Sequence, residues 1–276
     1  MKTKSLFLML ILAVLLTLTS YSEDQETPGQ KTNKAETKSS ETSDAASLDL
    51  ELVLAKYYKA IGGIDKWRNL NTMIMKGEMN SQDKTMPVTA YHTRPNKCRV
   101  EFDIKDTITA QIFNGQFGWQ LNPLSGNPEP APMTAGRTSY MKDTCDIENP
   151  LIDYKKKGHD TKLLGLEKSG GREYYKINIK YKSGNVETYY IDSETFMLSK
   201  SVGIYNMDGR VIRTTTNFMD YKDTDGYVVP YKLIIEIHGA PGKETLKINK
   251  FIFNSKIDPK IYEFPKDKIK KLKPKK

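Results

Sequence analysis

The chain has 276 residues, with 43 Lys and Arg against 34 Asp and Glu, a formal charge of +9 and a mean hydropathy of −0.59. Three histidines (His92, His159, His238) and two cysteines (Cys98, Cys145) give no metal-ligand spacing and no disulfide framework. Much of the positive surplus sits in residues 266–276, which hold seven Lys and one Asp, and no nucleic-acid recognition motif appears, so a polyanion-reading body is not implied.

In chain order, Lys2 and Lys4 precede an apolar run from Leu6 to Leu18 broken only by Thr17. The run is too short for a comfortable bilayer span and suits the apolar region of a signal peptide cleaved near residue 22. Residues 23–47 are rich in Glu, Thr, Ser and Lys and contain no aromatic residue, which predicts a disordered polar linker. A leader followed by a polar tether is the layout of a bacterial lipoprotein, but Tyr21 stands where the lipid-bearing cysteine would be. The expected product is therefore a soluble periplasmic protein without an acyl anchor.

Residues 48–265 are read as the globular domain, and 266–276 as a solvated basic tail with an affinity for anionic surfaces or acidic partners. Ser47 or Asp49 can cap an opening helix in which Leu48, Leu52, Ala55 and Tyr58 follow helical spacing, and Gly62-Gly63 stops it. A short helical turn follows over 65–70. The period then becomes two: Val100, Phe102 and Ile104; Ile108, Ala110 and Ile112; Tyr175, Ile177, Ile179 and Tyr181; Leu233, Ile235 and Ile237. Turn signals at Asn114-Gly115, Ser183-Gly184-Asn185, Asp208-Gly209, Asp225-Gly226 and Pro241-Gly242 separate such segments. The pattern predicts one large antiparallel sheet that curls. A Pro-rich stretch, 122–132, and short helices over 138–157 interrupt it, and helices over the open side of a curled sheet would enclose an apolar cavity.

The search for catalysis finds no metalloprotease, nucleophile-elbow or phosphate-cradle motif, so the chain is read as non-enzymatic, without metal or cofactor. Cys98 and Cys145 could pair in an oxidising compartment. With 16 Tyr, 9 Phe, 2 Trp and 11 Met, the chain holds more adaptable apolar surface than an ordinary core of this size needs.

Thr93-Arg94-Pro95-Asn96 entering a strand, Asn114-Gly115-Gln116-Phe117-Gly118-Trp119 at the next hairpin, then Asn122-Pro123, resemble the LolA-like family of outer-membrane lipoprotein-sorting proteins. Ile261-Tyr262-Glu263-Phe264-Pro265 resembles the family's closing segment, and Ala60-Ile61-Gly62-Gly63 its first helix. The resemblance implies a mainly β (α+β) fold: an open, strongly curved antiparallel half-barrel with short helices as a lid. It implies a carrier that takes lipoprotein acyl chains from an inner-membrane donor to an outer-membrane acceptor. It also implies that Arg94 gates the lid by hydrogen bonds to backbone carbonyls, as a guanidinium can bridge several at once.

On this reading the protein is a monomeric periplasmic carrier of lipoprotein acyl chains or other lipid. Its cavity wall would comprise Phe102, Ile112, Trp119, Leu121, Tyr175, Ile177 and Tyr190, with Met141 and Leu151 from the lid. The competing reading is an envelope interaction or sensor module that uses the same cupped sheet to hold a protein partner.

Overall fold

A computed structural model describes residues 49–265 except 83 and 127. The expected leader, linker and basic tail lie outside the described residues, as does Ser47.

Helix α1, Leu50–Ala60, starts at Asp49, whose carboxylate accepts the Glu51 amide at 3.0 Å. Val53, Leu54, Tyr57 and Ile61 recur at helical spacing and are all buried. Gly62 and Gly63 end the helix at φ 99° and 98°. Gly62 is doubly constrained, because a Cβ there would lie 2.1 Å from the Gly226 carbonyl oxygen. Helix α2, Ile64–Arg68, follows at once, and its Trp67 indole donates back to the Ile61 carbonyl at 2.8 Å.

Six strands come next: β1 Thr72–Ser81, β2 Lys84–Thr93, β3 Lys97–Ile104, β4 Thr107–Phe113, β5 Gly118–Leu121 and β6 Ala131–Pro132. An insertion carries α3, Ala135–Thr144, and α4, Tyr154–Lys157. Seven more strands complete the chain: β7 Asp160–Ser169, β8 Arg172–Lys180, β9 Val186–Asp192, β10 Leu198–Met207, β11 Arg210–Thr224, β12 Tyr227–Ile237 and β13 Glu244–Phe253. All pairings are antiparallel, and the order is β6-β5-β4-β3-β2-β1-β13-β12-β11-β10-β9-β8-β7. The chain thus starts at the middle of the sheet, walks out to one edge, crosses to the other, and walks back until β13 pairs with β1.

The crossing requires the sheet to curve. Helix α3 packs against β4 and β5 on one side and against β10 on the other. Eight strand spacings separate β5 from β10, about 38 Å in a flat sheet. A ten-residue helix is about 15 Å long. Both contacts are possible only if the sheet bends into an open half-barrel, with β6 and β7 as its unpaired lips and α3 strapped between its walls.

The core lies on the concave side. Met79, Val88, Phe102, Ile177, Ile179, Ile191, Leu246 and Ile248 face inward and meet Leu54 of α1 and Leu151 and Ile152 of the insertion. A second cluster sits on the convex side, where Tyr262 and Phe264 of the C-terminal segment cover Ala110, Ile112 and Trp119.

Candidate functional site

The hollow is occupied by the protein's own chain. Leu54, Leu151, Ile152, Ile177, Ile179 and Ile191 are each 0% exposed, so α1 and the 147–154 segment plug the apolar part of the concave face. Polar contacts make the plug one body. The Tyr58 hydroxyl donates to the Leu151 carbonyl at 2.7 Å, and Arg68 pairs with Asp153 at 2.6 Å. Lys155 and the Tyr154 hydroxyl both reach Glu51, at 2.6 and 2.9 Å. Trp67 of α2 meets Tyr227 of the sheet edge-on, with ring centroids 5.2 Å apart.

Arg94 fastens this plug to the rim. Leaving the end of β2, its Nε donates to the Leu70 carbonyl and its Nη2 to the Trp67 carbonyl, both at 2.8 Å. Nη2 also meets Glu148 Oε2 of the insertion at 2.7 Å. Lys157 then links Glu148, at 3.0 Å, to Asp146, at 2.6 Å. Burial pushes the Asp146 carboxyl upward, with Lys157 opposing. Arg94 therefore bonds backbone carbonyls, those of α2 and its C-terminal end, and adds an ion pair to the insertion that the sequence did not reveal.

Helix α3 is held apart from the plug. The Cys98–Cys145 disulfide ties its C-terminal end to β3. On the opposite wall, Asp208 accepts the Thr134 hydroxyl at 2.6 Å and the Gly136 amide at 3.3 Å. Asp143 accepts the Ser183 hydroxyl at 2.5 Å and the Asn185 amide group at 2.7 Å. A Cβ at Gly136 would lie 2.5 Å from the Asp208 nitrogen, so only glycine permits this approach.

The concave face also has a polar region on its second half. Glu187 of β9 accepts the hydroxyls of Tyr181 and Tyr189 at 2.7 and 2.8 Å. Tyr205 stands edge-on to Tyr140 of α3 at 4.9 Å. Burial, reinforced by Glu187, raises the pKa of Tyr181, Tyr189 and Tyr205, so these hydroxyls stay protonated donors. Glu244, the first residue of β13, is 4% exposed; one oxygen accepts from Ser81 at 3.3 Å and the other has no hydrogen-bond partner among the described residues. Burial pushes its carboxyl up to about 7.

Of the residues expected to wall a cavity, the structure brings Phe102, Tyr175, Ile177 and Leu151 together on the concave side. Met141 joins a neighbouring cluster with Cys98, Phe113 and Cys145. Four expectations are corrected. Ile112, Trp119 and Leu121 pack on the convex face against the C-terminal segment, where the Trp119 indole donates to the Tyr262 carbonyl at 3.1 Å. Their register explains this: Ile112 pairs with Arg99, which alternates with inward Phe102, and Trp119 pairs with Ile112. Tyr190 also faces outward, its ring between Lys176 and Lys200 at 5.6 and 3.9 Å, while Tyr189 points inward. Inward Met73, Met75, Met79 and Met86 escaped the sequence reading, although Met73, Met75 and Met79 keep a period of two.

Among the described residues, no group of three or more His, Cys, Asp or Glu could hold a metal ion, and no helix is long and apolar enough to cross a membrane. An open depression of about 440 Å³ lies beside the C-terminal segment, lined in part by Asn96, Lys97, Gln116 and Glu263.

Neither a protein-family model nor any curated protein matches this sequence. Solved structures do match. A LolA superfamily protein from Nitrosomonas europaea is 14% identical, with a TM-score of 0.52 over 76% of this chain and 96% of that one. A DUF1329 family protein from Desulfovibrio piger is 15% identical, with a TM-score of 0.53 over 76% and 97%. A domain from Vibrio parahaemolyticus assigned to the outer membrane lipoprotein-sorting proteins is 15% identical, with a TM-score of 0.52 over 80% and 95%. Sheet order, curvature and these likenesses agree: this chain has the LolA-like fold, an open antiparallel half-barrel with a helical lid.

Proposed function

We propose that this protein is a non-enzymatic periplasmic carrier of lipoprotein acyl chains or of another lipid, working as a monomer between a donor at the inner membrane and an acceptor at the outer. The observation that carries the reading is the plug. The apolar part of the concave face is covered by a helix and a loop clipped to the rim through Arg94 and Glu148, not by further strands of the sheet. A helix and loop can withdraw without breaking the backbone ladder.

An acyl chain could then take the place of Leu54, Leu151 and Ile152 against Ile177, Ile179 and Ile191. Each methylene transferred from water contributes about 0.8 kcal/mol, so one long chain gains about 10 kcal/mol gross, enough to offset exposure of the displaced plug. The tyrosine hydroxyls around Glu187 supply polar contacts for the less apolar end of such a cargo. Helix α3, fixed at both ends, would remain as the frame while 146–157 and α1–α2 move.

Native mass spectrometry of protein released gently from its producing cells tests this reading, together with titration by a fluorescent fatty acid. Bound lipid that lowers hydrogen exchange within β8 and β9, and raises it in 146–157, is the expected result. A protein that carries no lipid and takes up no acyl probe, even with Arg94 removed, refutes it and favours the sensor reading.

A further inference from the structure

The outer face carries a charge pattern at mid-sheet that strand pairing disfavours. Leu233 pairs with Leu246, and Met75 with Phe251, all on the inner side, so their neighbours Lys232, Lys247, Lys76 and Lys250 point outward. Lys232 stands directly opposite Lys247, and Lys76 directly opposite Lys250. Like charges in register across a ladder repel. Lysines on strands often serve to blunt an exposed edge. Here that use is ruled out, because β1, β13 and β12 are the sixth to eighth of thirteen strands. None of the four makes an ion pair among the described residues, and the acid their register brings alongside is Glu78, opposite Lys247.

A second observation concerns the end of the chain. Phe264 is buried against Trp119 on the convex face, and the described chain ends one residue later at Pro265, ahead of the last eleven residues of the sequence. Those residues, 266–276, include seven lysines.

We propose that the convex face is a docking surface for an anionic phospholipid bilayer, with Lys76, Lys232, Lys247 and Lys250 as its contacts. The chemistry favours a headgroup plane over an acidic protein. An ammonium on a flexible stem is a point charge that follows a mobile array of phosphates, whereas a specific protein interface uses rigid Arg and aromatic anchors around an apolar centre. Alongside the four stand Thr89, Thr245 and Asn249 together with the aliphatic Ile74, Ile252, Ile234 and Met219, and no Arg or aromatic anchor is directly among them. Charges this close on one face act together within a Debye length. Docked this way, the protein turns its plugged concave face toward the solvent. The inference does not depend on what the hollow carries.

The test compares full-length protein with K76Q/K232Q/K247Q/K250Q on phosphatidylcholine vesicles with and without phosphatidylglycerol. The apolar run 6–18 is common to all variants and both vesicle types, so it cancels in the ratio of the two affinities. The ratio is expected to fall at least about tenfold in the quadruple variant. Its melting temperature should be equal or higher, since two repulsive pairs are gone. A variant with the lysines of 266–276 changed to Gln should keep the part of the ratio that depends on the four. An unchanged ratio in the quadruple variant overturns the proposal. So does polyglutamate binding that needs the four lysines while the two vesicle types bind alike, because that points to an acidic protein instead.

Discussion

Replacing Arg94 by Ala removes three hydrogen bonds at once, to the Leu70 and Trp67 carbonyls and to Glu148. Bonds from a charged donor are each worth about 1.5–3 kcal/mol net, and the Arg94 side chain is 29% exposed, which places them at the low end. Part of the loss is recovered because Lys157 still faces Glu148 and water can reach the freed carbonyls. A net of about 3 kcal/mol is then removed from the closed arrangement, a shift of about 100-fold toward withdrawal of the plug. Hydrogen exchange followed by mass spectrometry reads this directly: amides in 146–157 and α2 should exchange about two orders of magnitude faster, with β8–β9 unchanged. Affinity for an acyl probe should rise in step with the open fraction until opening no longer limits binding. Arg94→Lys should fall between, keeping the ion pair to Glu148 but losing the fork across two carbonyls. Faster exchange spread evenly over the sheet would mean that Arg94 supports the whole fold and is not a latch. No change at all would mean that apolar packing alone seats the plug.

Three further outcomes follow from the packing. Glu244 titrates near 4.5 when unfolded and about 7 in the fold, so its contribution is fully present below pH 4.5 and is lost as pH rises through about 7. Thermal melts should show a loss of about 3 kcal/mol across that window, and Glu244→Gln should flatten it. Gly136→Ala forces a methyl group onto the Asp208 backbone and should destabilise by about 1–3 kcal/mol, lowering the melting temperature by about 2–4 °C for each, since α3 cannot move off while Cys145 holds it. Trp119→Ala should cost about 3–5 kcal/mol in denaturant unfolding and leave acyl-probe affinity unchanged, whereas Phe102→Ala, in the concave wall, should alter both.

Local signals made much of the fold legible. The cap at Asp49, the stop at Gly62-Gly63 and the hairpin turns Asp208-Gly209 and Asp225-Gly226 each follow from backbone geometry that few residues allow. Alternation in β8 correctly separated inward Ile177 and Ile179 from outward Lys176 and Lys180. It failed in β4, where Thr109 to Phe113 are all buried, because the C-terminal segment covers the outer side that is usually wet. Period two says which residues share a face and is silent about which face is concave. Tyr190 misled for a related reason, since lysine stems hide an outward aromatic ring as well as a core does. The sequence marked an insertion after β6 but not that it runs lip to lip, because that depends on β1 meeting β13. The Arg94–Glu148 pair was hidden likewise, as nothing in local spacing brings residue 148 to residue 94.

The meeting of β1 and β13 also sets the order of assembly. Every other pairing joins strands that are neighbours in sequence, so β1–β6 and β7–β13 can each zip up hairpin by hairpin. The joining pair is different: Met73 finds Phe253, and Asn80 finds Thr245, only when nearly all of the domain exists. Until then β1 is a bare edge with methionines on one side, the kind of surface that recruits a second copy or a folding helper. The slow step in making this protein should therefore be the last seam, and substitutions in β13 should lower its yield more than equal losses of stability in β8 or β9.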